Sequence, residues 1–305
     1  MKELRVDVGY TLGIDGGGSK TDAVVLDEHG SVIGGGIAGG CNVNFTPSRS
    51  GAAAYRRAIR AALKEANITA ADIARAGCTF GAVAKEVFEE LGISAEARHF
   101  GEYTVAFERA GISELRGVAL TAGTGSSCAA LDAGQRTIGF GGWGPLLGDD
   151  GSAYDIGLQG IKRAMLACEG RAPDTLLEQA VREYFGVENT KIAIGKLCNT
   201  GISQPQVAGF APFVSRAAYD GDPAANEIVE SAGEVLGELA AFTARQFFRE
   251  ADSFPFVLAG GVFNIGKLVI DPIRCVLRPQ FPNARIVVAE MRPGEAVARL
   301  ATREE

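Results

Sequence analysis

Features required for membrane insertion, for metal or redox clusters and for nucleic-acid binding are scarce in this sequence. No charge-free apolar run reaches the roughly 18 residues that a membrane-spanning helix needs. The net charge of −7 argues against binding to nucleic acid or to an anionic membrane. The cysteines show no CxxC or CxxH spacing, so we expect them to be reduced and mostly buried. They are Cys41, Cys78, Cys128, Cys168, Cys198 and Cys275.

The N-terminus and the composition lead us to expect a cytoplasmic protein. Residues 1–10 alternate charged and apolar side chains and lack the continuous apolar segment of a signal peptide. With 47% hydrophobic and 22% charged residues, a chain of 305 residues allows about two domains, each with its own core. An acidic protein that binds an anionic ligand must use local hydrogen-bond donors and a metal ion.

A glycine-rich stretch near the N-terminus is the first candidate for such a site. The run Leu12-Gly13-Ile14-Asp15 leads into Gly16-Gly17-Gly18-Ser19-Lys20 and then into a second apolar run, which is typical of a β-hairpin with a bare turn. We expect the N–H groups of Gly16, Gly17 and Gly18 to be open to phosphate oxygens, and Asp15 to hold a hydrated Mg²⁺. An ordinary glycine-rich hairpin is the alternative, because neither the lysine nor the helix of a P-loop follows as that motif requires.

The same order of features returns about a hundred residues later, which suggests a duplicated domain. An apolar run at 118–122 leads into Gly123-Thr124-Gly125-Ser126-Ser127, and apolar residues follow at 128–131. Two such hairpins, facing each other across a cleft, could hold one nucleotide's phosphates from both sides.

Between and after the hairpins, strands and helices are predicted to alternate. We expect helices at 47–66, 83–91 and 103–110, and strands at 74–80 and 97–100. This pattern predicts a largely parallel sheet with helices on both faces, whose ligands bind beyond the carboxyl ends of the strands. Glu102 lies at such an end.

The second half contains the only tryptophan, Trp143, in a glycine-rich loop that leads to the adjacent acids Asp149 and Asp150. Flanking glycines make a poor core environment, so we interpret Trp143 as an aromatic wall for a sugar or for the cleft. One of the two acids could serve only as a helix N-cap.

The remainder of the chain is predicted to be mostly helical and to end in a strand–helix unit. Helices fill most of 156–250, and the last of them, at 222–248, is long and amphipathic. A buried strand at 256–263 contains Gly260 and Gly261, a third glycine turn that could lie against an adenine or ribose. A strand at 285–289 and a helix from Pro293 complete the chain.

Three glycine turns, Asp15 and the duplicated layout resemble the actin, hexokinase and Hsp70 superfamily of ATP-dependent phosphotransferases. Within it, residues 141–154, GGWGPLLGDDGSAY, closely resemble the loop typical of N-acetylglucosamine kinases and of the wider BadF/BadG/BcrA/BcrD ATPase family. The segments AGTGS at 122–126 and AGG at 259–261 match as well, as does the helix start at 221–223. The resemblance implies an α/β protein with two ribonuclease H-like (actin-like ATPase) domains and a cleft between them. They are an N-terminal domain at 1–115 and a C-terminal domain at 116–305 with a helical insertion.

The resemblance also assigns roles, with ATP and Mg²⁺ as cofactors. It implies that Asp15 positions Mg²⁺ and that Glu102 is the catalytic base and contacts the sugar. The residues implied to bind ATP are Gly16, Gly17, Gly18, Ser19, Lys20, Thr124, Gly125, Gly209, Gly260 and Gly261. Those implied to bind an amino sugar are Asn42, Ser126, Ser127, Gly142, Trp143, Gly144 and Asp149. For Asn42, closing a turn is the alternative.

The expected activity is transfer of phosphate from ATP to the 6-hydroxyl of N-acetylglucosamine or a related amino sugar. The family usually has aspartate where this chain has Glu102, which is one methylene longer. Two alternatives remain, an activator ATPase of 2-hydroxyacyl-CoA dehydratases, which holds a [4Fe-4S] cluster through cysteines, and a non-catalytic sugar sensor. We expect a small-molecule sugar partner and neither nucleic acid nor membrane. The sequence does not fix the oligomeric state, and a homodimer is one option.

Overall fold

The computed structural model describes residues 9–41, 48–133 and 136–303, which divide into two compact units. The first unit takes in the chain up to Ser113 together with the segment from Glu290 onward, and the second spans Glu114–Ala289. This division differs from the predicted one, which assigned all of 116–305 to the C-terminal domain. The difference lies almost entirely in the last helix, which packs on the first sheet.

The first unit is a five-stranded mixed sheet with helices. Its strands are β1 (Tyr10–Gly16), β2 (Lys20–Leu26), β3 (Val32–Gly39), β4 (Ile73–Cys78) and β5 (Ala97–His99), and its first three helices are α1 (Ser48–Ala66), α2 (Gly81–Leu91) and α3 (Glu102–Arg109). The strand order is β3-β2-β1-β4-β5. Strands β1, β2 and β3 form antiparallel pairs, while β4 and β5 run parallel to β1. The carboxyl ends of β1, β4 and β5 therefore share one edge.

The second unit repeats this sheet. Its strands are β6 (Gly117–Ala122), β7 (Ser126–Leu131), β8 (Thr137–Gly141), β9 (Pro255–Ala259) and β10 (Arg285–Val288). They lie in the order β8-β7-β6-β9-β10, with an antiparallel β6–β7–β8 meander and with β9 and β10 parallel to β6. The two sheets thus have the same order and directions, which confirms the predicted α/β duplication.

Helices separate β8 from β9, in agreement with the predicted helical insertion. They are α4 (Ala153–Cys168), α5 (Leu176–Phe185), α6 (Thr190–Thr200), α7 (Gln204–Ala208), α8 (Ala211–Tyr219) and α9 (Pro223–Ala244). Helix α10 (Lys267–Leu277) follows β9, and α11 (Pro293–Thr302) follows β10. No helix among the residues that the structure describes is long and apolar enough to cross a membrane.

The last helix joins the first unit because β1 offers it a position without a side chain. A Cβ on Gly13 would lie 2.2 Å from both the Ala298 nitrogen and the Gly294 oxygen, so only glycine allows α11 to pack this closely on β1. On the same face, Val24 and Leu26 of β2 are buried against Ala298. The opposite face of the sheet carries the larger core of the unit, formed mainly with α1 and α2.

One predicted strand is shorter in the structure, and one helix was not predicted. The predicted strand at 256–263 ends at Ala259, and a short 3₁₀-helix, Gly261–Ile265, follows the positive φ of Gly260. Helix α10 was not predicted, because Pro272 inside it removes a helical N–H and normally marks a break.

Candidate active site

The first glycine turn uses two of its three predicted phosphate donors inside the protein. The Gly16 N–H donates to the Thr79 hydroxyl oxygen at 2.9 Å, and the Gly17 N–H donates to the Lys20 carbonyl at 2.7 Å. The prediction of open donors therefore does not hold for Gly16 and Gly17. Glycine is required at position 16 for a different reason, because a Cβ there would lie 2.2 Å from the Cys41 sulfur. Contact of Gly18, Ser19 and Lys20 with ATP stays a prediction.

Asp15 lies at the carboxyl end of β1 among other charged groups of the first unit. Its pKa is raised from 3.8 to about 7, chiefly by burial. The guanidinium of Arg109 and a hydrogen bond with Thr79 lower the pKa, whereas the carboxylates of Glu102 and Asp22 raise it. Asp15 therefore carries a carboxylate that a nearby cation would strongly stabilise.

Glu102 is the first residue of α3, directly after β5, and its side chain is exposed. Gly101 precedes it as an N-cap without a side chain, so a negative residue in the first turn also stabilises the helix. Because β1 and β5 end at the same edge of the sheet, the fold brings Asp15 and Glu102 to that edge although they are far apart in sequence, and the Glu102 charge raises the pKa of Asp15.

Two residues at this edge were not found from the sequence. Thr79 follows β4, where its hydroxyl contacts both the Gly16 N–H and Asp15. Arg109, at the end of α3, donates from Nε to the Met291 carbonyl at 2.9 Å, and its charge acts on Asp15 and Asp22. Position after a parallel strand was the only available signal for Thr79.

The second glycine turn, in the second unit, is anchored on a helix. The carbonyl oxygens of Gly123 and Thr124 accept hydrogen bonds from the N–H groups of Ala153 and Tyr154, in the first turn of α4, at 2.9 and 3.3 Å. No atom lies within 4 Å of where a Cβ on Gly123 would be. The turn is thus held from one side and leaves Gly123 open on the other.

The third glycine turn lies against the second one, as expected for parallel neighbours β6 and β9. A Cβ on Gly260 would lie 2.2 Å from the Ala122 carbonyl oxygen, while no atom lies within 4 Å of a Cβ on Gly261. The open backbone at Gly123 and Gly261 fits a nucleotide that lies close to the chain. Gly209 packs elsewhere, between α7 and α8, where a Cβ would be 2.4 Å from the Tyr184 hydroxyl.

Of the residues predicted for the sugar, Ser126, Gly144 and Asp149 are joined by hydrogen bonds in the second unit, whereas Glu102 lies in the first unit. Asp149, buried and with a φ of 61°, accepts a hydrogen bond from the Ser126 N–H at 3.3 Å and another from the Gly144 N–H. Burial raises the pKa of Asp149. A Cβ on Gly125 would lie 2.5 Å from Asp149 Oδ2, so Gly125 makes room for the carboxylate. Asp149 therefore ties the loop of residues 142–148, here called the tryptophan loop, to the second glycine turn.

Both predicted serine hydroxyls are engaged within the protein. Ser126 donates from Oγ to the Asp150 carbonyl at 2.8 Å, and Ser127 Oγ lies 2.7 Å from the Thr121 hydroxyl. Trp143 is 75% exposed, and Leu146 and Leu147 of the same loop are also exposed. Trp143 is thus not a core residue of the second unit, and its contact with a sugar stays a prediction. Asn42 lies outside the described residues.

Mg²⁺ usually binds proteins through one or two carboxylates together with substrate phosphates and water. No cluster of three or more His, Cys, Asp or Glu side chains suited to a metal occurs in the described part of the chain. Asp15 is half-buried, so its carboxylate is desolvated enough for the pKa to rise and yet keeps the accessible surface that a metal ion arriving with a nucleotide needs.

Two α/β units with one strand order, each with a glycine turn in its first hairpin, define a protein of the duplicated actin-like ATPase fold. The crystal structure of a Chromobacterium violaceum protein, named there as a candidate N-acetylglucosamine kinase, shares this fold with a TM-score of 0.73 and 23% identity. The alignment covers 97% of this chain and 99% of that one. The chain belongs to the BadF/BadG/BcrA/BcrD ATPase family, whose profile matches residues 12–290.

Two relatives with assigned activities are similar to this chain over most of its length. The N-acetylmuramic acid/N-acetylglucosamine kinase of Clostridium acetobutylicum is 25% identical over 286 residues, which cover 91% of this chain and 93% of that protein. The N-acetyl-D-glucosamine kinase of Dictyostelium discoideum is 26% identical over 310 residues, which cover 95% and 97% of the two chains.

Proposed function

We propose that this protein transfers the γ-phosphoryl group of ATP to the 6-hydroxyl of N-acetylglucosamine or a closely related amino sugar. The observation that carries the proposal is that Asp15, at the carboxyl end of β1, and Glu102, at the start of α3 after β5, lie at the same edge of the first sheet. Family membership and two relatives named as N-acetylglucosamine kinases support the sugar class.

In this proposal the two carboxylates have different roles. Asp15 holds Mg²⁺, which neutralises phosphate charge when it binds with ATP. Glu102, exposed at the start of α3, takes the proton from the sugar hydroxyl. Thr79 keeps Asp15 oriented through its hydroxyl, and the same hydroxyl fixes the backbone of Gly16.

The second unit contributes nucleotide and sugar contacts. The nucleotide contacts the Thr124 hydroxyl, and it lies against the backbone of the glycines Gly125, Gly260 and Gly261. The tryptophan loop binds the sugar, and Asp149 keeps it in place while adding a contact of its own.

A coupled assay of ADP release across a panel of sugars tests the activity. The panel includes N-acetylglucosamine, glucosamine, N-acetylmannosamine, N-acetylmuramic acid and glucose, each compared with a sugar-free rate. We expect one amino sugar to stimulate Mg²⁺-dependent ADP release, and Asp15→Ala to abolish it while the fold survives. The control is Asp27→Asn at the far end of the same hairpin, where the carboxylate only accepts N–H groups of His29 and Ser31.

If no sugar raises ADP release, the kinase proposal fails. Sugar binding without turnover would then favour a sensor. A brown protein with visible absorption that holds iron through cysteines would favour the dehydratase activator.

A further inference from the structure

Two acidic residues lie directly opposite each other on the first hairpin. The register of β1 and β2 pairs Asp15 with Asp22. Directly opposite side chains on an antiparallel pair share a face and are close neighbours, and like charges in such positions repel. An Asp22 charge without compensation would therefore add negative potential where phosphates are proposed to bind.

Asp22 is compensated by residues at the start of α11. Its side chain is only 2% exposed, and Oδ1 accepts a hydrogen bond from Arg292 Nη2 at 2.6 Å. Oδ2 accepts from the Gly294 N–H at 3.3 Å. The Arg292 side chain is 43% exposed and also faces Glu65 and Glu295. The buried carboxylate is thus bound on both oxygens, and Arg292 supplies its positive charge.

The path of Arg292 across the sheet depends on Gly35 in β3. A Cβ on Gly35 would lie 2.7 Å from Arg292 Nη1 and 3.0 Å from Nη2. The neighbouring glycines face the other way, toward α1, where Gly34 and Gly36 allow close approach to Ala62 and Ala58. Gly35 therefore provides the space through which Arg292 reaches Asp22.

We propose that Arg292 is a positioning residue that neutralises Asp22, so that Asp22 adds no net negative charge beside Asp15, where the Mg²⁺–nucleotide complex is proposed to bind. The inference rests on the proposed binding of MgATP at the first glycine turn. It explains why a solvent-accessible arginine from the end of the chain is directed onto a buried carboxylate of the second strand. Without it, two adjacent carboxylates would repel the triphosphate and compete for the metal ion.

The test measures the Kd for MgATP by titration calorimetry without sugar, so it does not depend on kinase turnover. We expect Arg292→Gln to weaken binding about tenfold, because an added charge near the phosphates acts through a partly screened medium. The double variant Asp22→Asn/Arg292→Gln removes the unpaired charge as well, and we expect it to restore the Kd to within about threefold of wild type.

A second substitution covers the case in which Arg292→Gln does not fold. Gly35→Ala keeps both charges but displaces the guanidinium, which is the flexible end of a side chain, and Gly35 does not have the positive φ that would oppose alanine. We expect it to weaken MgATP binding by about threefold. Added salt should reduce the defects of both variants, since screening weakens charge repulsion.

A matched ion pair in the same unit serves as the control. Arg303, also near the end of the chain and 48% exposed, binds Glu108, whose side chain is 7% exposed, at 2.5 Å. Arg303→Gln should lower the melting temperature as Arg292→Gln does, but leave the Kd for MgATP unchanged.

The proposal is overturned if the double variant binds MgATP no better than Arg292→Gln, or if Arg303→Gln weakens binding equally. It is also overturned if Gly35→Ala binds like wild type or if the wild type binds no MgATP. Normal MgATP binding by a wild type that phosphorylates no sugar would refute the kinase proposal and leave this inference standing.

Discussion

The sharpest prediction for the second unit concerns Asp149, because its buried side chain holds the second glycine turn and the tryptophan loop together. Its carboxylate accepts the N–H groups of Ser126 and Gly144 and is only 5% exposed as a residue. Its φ of 61° is a conformation that aspartate and asparagine adopt more readily than alanine. Asp149→Ala therefore removes the acceptor and also strains the backbone.

The expected loss of stability follows from these contacts. A hydrogen bond to a charged group contributes about 1.5–3 kcal/mol, and the left-handed backbone of an alanine costs about 1 kcal/mol more. Because such terms do not add fully, we expect Asp149→Ala to lower the free energy of unfolding by about 3–6 kcal/mol. For a unit of this size, that corresponds to a fall in melting temperature of roughly 6–24 °C. Asp149→Asn keeps one acceptor oxygen and the backbone preference, so it should lose about half as much.

Calorimetric unfolding and sugar kinetics together test this reasoning. We expect the KM for the sugar to rise at least as much as kcat falls, because the tryptophan loop is no longer held, while the Kd for ATP changes little. The control is Asp150→Ala, whose side chain is exposed and whose carbonyl, not its carboxylate, accepts the Ser126 hydroxyl. An Asp149→Ala protein with unchanged melting temperature would refute the structural role. Lower stability with an unchanged sugar KM would refute the link to the sugar.

Three further predictions concern other residues. Glu102→Gln should lower kcat by roughly two to four decades and leave the Kd for ATP nearly unchanged, and wild-type turnover would show that Glu102 is not the base. Asp222→Ala should lower the free energy of unfolding by about 3 kcal/mol or more, since this buried carboxylate accepts from three groups at the starts of α5 and α9. Denaturant titration measures this loss, and Asp220→Ala, at an exposed neighbour, should change the free energy of unfolding little in the same experiment. Cys275 is exposed and should be alkylated in the native protein, whereas burial raises the pKa of Cys128 from 9.0 to about 12, and mass mapping should find it unmodified. Equal labelling of the two cysteines would contradict the burial of Cys128. Because its thiol ionises near pH 9 when unfolded but stays protonated when folded, the free energy of unfolding should fall as pH rises from about 9 toward 12.

Local pattern determined the duplicated architecture of this protein. In both hairpins, runs of β-branched or small apolar residues flank a glycine turn. The strands and helices that follow can each be identified from the spacing of their apolar residues. These signals reside in adjacent residues, so the α/β class, the repeat and the family could be predicted. The turn donors at Gly16 and Gly17 were mispredicted because their partners, Thr79 and the Lys20 carbonyl, depend on how the turn closes.

Tertiary structure alone decided which charges meet at the end of the first sheet. Arg109 and Arg292 both act on Asp22, because α11 packs on the face of β1 and β2 that carries Asp15 and α3 packs on α11. Nothing near Arg292 in the sequence identifies a partner 270 residues away. The helix that contains Gly294 reaches the first sheet only because Gly13 leaves space for it. Hydrophobic periodicity shows which face of an element is buried, but the choice of neighbour depends on the shape and charge of surfaces that exist only after folding.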